Sequence, residues 1–130
     1  MSKYIILLLI NISSLNINFT NFFEERYRVY AIERRQFNSD GTETQLSFTL
    51  QEATLEVQNR NIIVSIDEKV IVFSVLSTER KSNTKIKYQV KTSDGRIGEI
   101  WRIYTPERKS LTFEIYPPGK LYIRYYVQKI

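Results

Sequence analysis

The chain contains neither cysteine nor histidine, and these two absences remove most of the common side-chain chemistry. Without thiols there is no disulfide, no thiolate nucleophile and no iron–sulfur ligation. Without imidazole or thiolate the usual zinc sites lack ligands, and the Ser-His-Asp and Cys-His mechanisms lack a base. The chain's four glycines form no phosphate-cradling loop and no nucleotide-binding fingerprint. What remains for catalysis is carboxylate, Lys, Tyr, Ser and Thr. The acid pairs Asp67-Glu68 and Glu24-Glu25 are adjacent in sequence, and neighbours on a strand point to opposite faces. Glycosidic catalysis needs two acids across a cleft, and a turn accounts for Asp67-Glu68 without catalysis. The expectation is therefore no enzyme, no cofactor and no metal. The lack of thiols leaves the redox compartment open.

What is present describes a single folded unit. A chain of 130 residues, 42% hydrophobic and 25% charged, has the size and composition of one ordinary domain, and no stretch resembles an interdomain linker. Lys and Arg outnumber Asp and Glu by 19 to 14, a net charge of +5. That excess favours acidic partners, although a charge of this size also serves solubility.

At the start, Lys3 precedes the apolar run Tyr4 to Ile10, and polar residues follow from Asn11 to Ser14. This is the outline of a secretory signal, without an Ala-x-Ala site. The run is too short to span a membrane, which takes about 20 apolar residues. Residues 1–20 are read either as a signal peptide or as a first buried element. Export and an intracellular or virion location both stay open. Asn11-Ile12-Ser13 and Asn18-Phe19-Thr20 match a glycosylation acceptor pattern that matters only in a secreted eukaryotic protein. Residues 21–130 are read as one β-domain.

From about Arg26 the pattern is that of strands and short turns. Tyr27 to Ile32 mixes aromatic and β-branched residues, and Asn38-Ser39-Asp40-Gly41 breaks it with a turn. Gln45 to Leu50 alternates, with Leu46, Phe48 and Leu50 on one face. Asn59-Arg60 and Asp67-Glu68 separate further strands into hairpins, and Ile62 to Val64 and Val70 to Phe73 are apolar on both faces, as covered strands are. Ser77 to Asn83 reads as the longest loop of the later half. Thr84 to Thr92 alternates strictly, placing Ile86, Tyr88 and Val90 inward, and Ser93-Asp94-Gly95 is a strong hairpin signal. Arg96 to Tyr104 returns and ends at Pro106. Ser110 to Tyr116 and Leu121 to Gln128 complete the set, the last with Leu121, Ile123, Tyr125 and Val127 inward. The expected fold is all-β, a small antiparallel barrel or sandwich of about eight strands, mainly a meander. One short helix is allowed near the N-terminus, over Asn21 to Glu25.

The candidate interaction surface is a basic and aromatic face. Alternation puts Lys85, Lys87 and Lys91 outward, and likewise Tyr122, Arg124 and Tyr126. Arg102 and Tyr104 join them if Trp101 and Ile103 point inward. Cations beside aromatic rings suit a protein interface or a phosphate backbone with stacked bases, and outward Lys is also an ordinary strand-surface residue. Trp101 is expected in the core, with a ligand cavity as the alternative. Glu99 shares its alternation, so it is either a buried carboxylate or an exposed residue at the hairpin end. Three functions follow in order. The first is a non-enzymatic interaction or structural module that uses strand faces or edges to bind a protein partner or itself, as in a larger assembly such as a viral particle. The second is an exported small barrel holding an apolar or glycan small-molecule ligand. The third is a nucleic-acid-binding β-domain.

Overall fold

A computed structural model describes residues 24–117 and 119–130. The strands are β1 (Glu25–Phe37), β2 (Glu43–Val57), β3 (Asn61–Ile66), β4 (Lys69–Arg80), β5 (Lys85–Lys91), β6 (Ile97–Thr105), β7 (Ser110–Tyr116) and β8 (Leu121–Lys129). Each pairs antiparallel with the next, and β1 pairs with β8, so the sheet closes into an eight-stranded barrel. The expectation of an all-β meander of about eight strands is met, and the choice between sandwich and barrel falls to the barrel. Closure gives each strand a neighbour on both sides over at least part of its length, which limits exposed edges. No helix occurs among the described residues, and no helix there is long and apolar enough to cross a membrane. The helix allowed over Asn21 to Glu25 is replaced at Glu25 by the first residue of β1. Residues 21–23, like the signal-like segment 1–20, lie outside the described residues.

The core is the barrel interior. Tyr27, Val29 and Ile32 of β1, Leu55 of β2, Ile62 and Val64 of β3, Phe73 of β4, Tyr88 and Val90 of β5, Ile100 of β6, Phe113 of β7 and Tyr125 and Val127 of β8 are buried together. Tyr27 meets Phe113 edge-on, with ring centroids 5.1 Å apart, an arrangement favoured by the ring quadrupoles. The turns at 38–42, 67–68 and 92–96 and the connection from β7 to β8 gather at one end, here called upper. Those at 58–60, 81–84 and 106–109 gather at the lower end. β1 begins and β8 ends at the lower end, where the Ile130 amide donates to the Arg26 carbonyl. The Asp-Gly turns form where expected, with Gly41 and Gly95 at φ +88° and +91°, a region that glycine enters without a Cβ clash.

Several expectations are corrected. Ser77 to Arg80 belong to β4, which continues in pairing with β5, so the connection is only residues 81–84. Those residues are polar because they lie at the lower rim. Leu121 is half exposed while Tyr122 is buried, since aromatic packing on the outer wall covers Tyr122. Leu46, Phe48 and Leu50 are 50%, 51% and 79% exposed. The alternation in β2 is real, but this apolar face is the outer one. Leu46 also sits in a bulge, since Gln45 and Ser47 pair with the consecutive residues Arg35 and Arg34.

Gly98 has a packing role. A Cβ there would stand 2.8 Å from the Tyr116 carbonyl oxygen, a backbone atom that can move only by disturbing the β6–β7 ladder. Gly98→Ala is expected to destabilise the fold by about 2 kcal/mol, the scale of overpacking, read as a lower urea midpoint with unchanged slope.

Candidate functional site

Among the described residues, the upper half of the barrel wall is incomplete because its strands differ in length. β2 pairs with β1 from Glu43 to Val57, but with β3 only from Thr54 to Val57. Among the described residues, no strand pairs with the other edge of β2 between Glu43 and Ala53. A sheet edge of this length exposes backbone donors and acceptors that can pair with another chain. Edges are commonly protected by Lys, Pro or inward charges. Here Thr44-Gln45-Leu46-Ser47-Phe48-Thr49-Leu50-Gln51 carries no charge and no proline. β4 is also unpaired toward β5 above Ser74, but that edge is shorter and begins with Lys69.

Beside this edge the barrel interior opens in a cleft of about 570 Å³. Its apolar wall is Ile32, Ile66, Ile71 and Ile123 with Tyr125, and Gln51 stands at one side. Asp67, Glu68 and Lys69 form the rim at the β3–β4 turn, and Asp67 accepts a long hydrogen bond of 3.4 Å from the Gln51 amide. Arg34 also lines the cleft. It pairs across the sheet with Ser47 and Ile123.

The β1–β2 ribbon is held upright by a buried polar cluster on the outer wall. Glu33 is 3% exposed and receives four donors: Arg35 Nη1 at 2.7 Å, Gln45 Nε2 at 2.7 Å, Tyr126 OH at 2.8 Å and Arg124 Nη1 at 3.2 Å. Arg124 further donates from Nε to Glu114 at 2.7 Å and from Nη2 to the Tyr122 hydroxyl at 3.0 Å. Tyr122 donates to Glu43 at 2.8 Å, and Arg35 Nε reaches the same carboxylate at 2.9 Å. Tyr116 donates to Glu114. The rings of Tyr122, Phe37 and Tyr116 form a mutually contacting triangle, with centroid distances of 5.1 Å (Phe37–Tyr122), 4.7 Å (Tyr116–Tyr122) and 6.2 Å (Phe37–Tyr116). Burial pushes the Glu33 carboxyl up, but hydrogen bonds from Gln45, Tyr126 and Arg35 with the Arg124 charge outweigh it and bring it down to about 2. Burial and the acceptor Glu43 push the Tyr122 hydroxyl up to about 12. Both groups therefore keep one protonation state across the neutral range, Glu33 as an acceptor and Tyr122 as a donor.

The residues singled out from sequence do not form one surface. Lys85, Lys87 and Lys91 point outward as expected, opposite Ile86, Tyr88 and Val90. Arg124, Tyr122 and Tyr126 lie on the same outer wall but inside the polar cluster, and Trp101 and Glu114 stand between Lys87 and Arg124 in the cross-strand row. Arg102 is on the opposite side. It pairs with Ile86 and Phe113 and donates to the Tyr27 hydroxyl at 3.4 Å, so it faces the lower mouth with Glu25, Arg80 and Tyr88. Tyr104 is exposed near the end of β6. Trp101 faces outward rather than into the core, and its indole N–H donates to Glu99 at 3.0 Å. Glu99 is thus on the outer wall, with Lys87 at 3.4 Å. The free edge of β2 and Arg34 were missed. The uncharged run Thr44 to Gln51 was the available signal for the edge.

The class defined by this geometry is a closed eight-stranded antiparallel meander barrel with an open edge beside its upper mouth. No family model, curated protein or solved structure matches the chain.

Proposed function

We propose that this domain is a protein-interaction module that works by strand addition at the free edge of β2, and that the added strand is β2 of a second copy. The observation that carries this reading is the one-sided pairing of Glu43 to Ala53 in a stretch without charge at its centre. Main-chain hydrogen bonding to such an edge is a general mode of recognition.

Self-complementarity supports a second copy as the partner. Laid antiparallel on itself with Phe48 at the two-fold axis, the segment sets Leu46 opposite Leu50. The centre of the pairing, Gln45 to Gln51, is uncharged, so no like charges meet there. A two-fold interface requires such self-matching. Phe48 and Leu50, now exposed to water, would join their counterparts in one apolar cluster on the outer face. This stretch of edge strand is the kind that soluble proteins otherwise shield from association.

The test is a charge swap at two exposed positions. The wild-type chain is expected to be a dimer by light scattering. A Leu46→Lys, Leu50→Lys variant sets lysines face to face across the axis and is expected to weaken the dimer at least about a hundredfold. The Leu46→Glu, Leu50→Glu variant behaves alike, and mixing the two restores the dimer. A wild-type monomer, or a dimer that persists in the lysine variant, would overturn the proposal.

A further inference from the structure

The geometry points to a second binding function, in the upper mouth of the barrel. We infer that the cleft takes an amphipathic carboxylate, with the acid group on Arg34 and the hydrocarbon along Ile32, Ile66, Ile71, Ile123 and Tyr125. The inference is independent of strand addition, because it concerns the inner side of the wall.

Three observations support it. The cleft, about 570 Å³, falls within the span of small-molecule sites, roughly 300–1,000 Å³, and its lining pairs an apolar wall of isoleucines and Tyr125 with a polar and charged side at Arg34, Gln51 and the rim. Arg34 turns toward the barrel interior, as shown by its cross-strand partner Ile123 and its place in the lining. Yet it shares neither an ion pair nor a side-chain hydrogen bond with any described residue. Arg102, also on the inner wall, does have such a partner in the Tyr27 hydroxyl. Finally, the Ser47 hydroxyl oxygen, on the residue paired with Arg34, is buried without a hydrogen-bond partner. A buried polar atom left unpaired is unfavourable and uncommon in a folded protein. A cation at an apolar wall provides the charge-assisted partner that a carboxylate head needs, and the orphan hydroxyl belongs to the residue paired with that cation.

The rim groups do not supply that partner. Asp67 and Glu68 lie on the β3–β4 turn with Lys69 beside them, and neither acid is within ion-pair distance of Arg34. Two cations line the cleft, Lys69 at the rim opposite Ile66 and Arg34 on the wall beside Ile123.

Titration calorimetry with decanoate, decanol and decyltrimethylammonium on the full chain tests the inference. Decanoate is expected to bind at one site per chain, at least about tenfold tighter than decanol, the scale of one charge-assisted hydrogen bond. The ammonium compound is expected to bind more weakly than decanol. Arg34→Gln should bring decanoate to the level of decanol and leave decanol itself unchanged. Methyl resonances of the wild-type chain provide a readout that needs no variant. Decanoate should shift the Ile32, Ile66, Ile71 and Ile123 methyl groups and spare Ile62 and Ile100 in the lower core. Equal affinity for the acid and the alcohol, an unaltered Arg34→Gln variant, or shifts that miss the four cleft methyl groups would each overturn it.

Discussion

Replacing Arg124 with methionine is expected to destabilise the barrel by about 3–5 kcal/mol, the scale for removing one member of a buried ion pair. The reason lies in its position between two carboxylates. Arg124 reaches Glu33 through Nη1 and Glu114 through Nε, and both acids are nearly buried. Methionine keeps much of the volume and removes the charge. Glu33 would retain Arg35, but Glu114 would retain only the Tyr116 hydroxyl, and the Tyr122 hydroxyl would lose the Arg124 donor. Surface pairs give a direct control. Arg28 is bonded to Glu52 by two N–H groups, yet both side chains are at least half exposed, so Arg28→Met should change stability by less than about 1 kcal/mol. Urea unfolding of the two variants measures the difference, and equal midpoints would show that burial of the cluster contributes nothing.

Stability is also expected to fall steeply on acidification, and Glu33 is the main cause. Its carboxyl is held down to about 2 in the fold against an ordinary value of 4.5. A depressed folded value means that the folded form binds the proton less readily than the unfolded chain. The contribution is complete above about pH 4.5 and is lost as pH falls toward about 2, a loss of roughly 3 kcal/mol at about 1.4 kcal/mol per pH unit. Glu33→Gln removes the titrating group. It should lower stability at neutral pH and flatten the acid limb of the curve. Unfolding midpoints taken across this window measure both effects, and a wild-type curve that stays level between about pH 5 and pH 2 contradicts the assignment.

The sequence made the strands legible because a pleated backbone imposes its period on composition. Lys85 to Lys91 alternates in the structure as it does in the sequence, with Tyr88 and Val90 buried and Lys85 and Lys91 exposed. Alternation separates two faces without saying which is inside. In β5 the lysines decide the matter. In β2 one face carries Leu46, Phe48 and Leu50 and the other Ser47, Thr49 and Gln51, and hydropathy alone puts the wrong one in the core. The same ambiguity placed Trp101 inside and Arg102 outside, when the register with Phe113 and Ile86 requires the reverse. The free edge was hidden for a different reason. It depends on the lengths of β2 and β3 relative to one another, and strand stagger leaves no trace in the hydrophobic pattern of either strand alone. The polar cluster at Glu33 draws on β1, β2, β7 and β8, so its members become neighbours only when the barrel closes.

Because Arg26 and Ile130 are hydrogen-bonded at the lower end, β1 starts and β8 finishes at the pole opposite the cleft. A tether at either of these strand ends, or at both, would hold the domain by its base. The mouth and the unpaired stretch of β2 would then face away from the support, accessible to whatever arrives from solution.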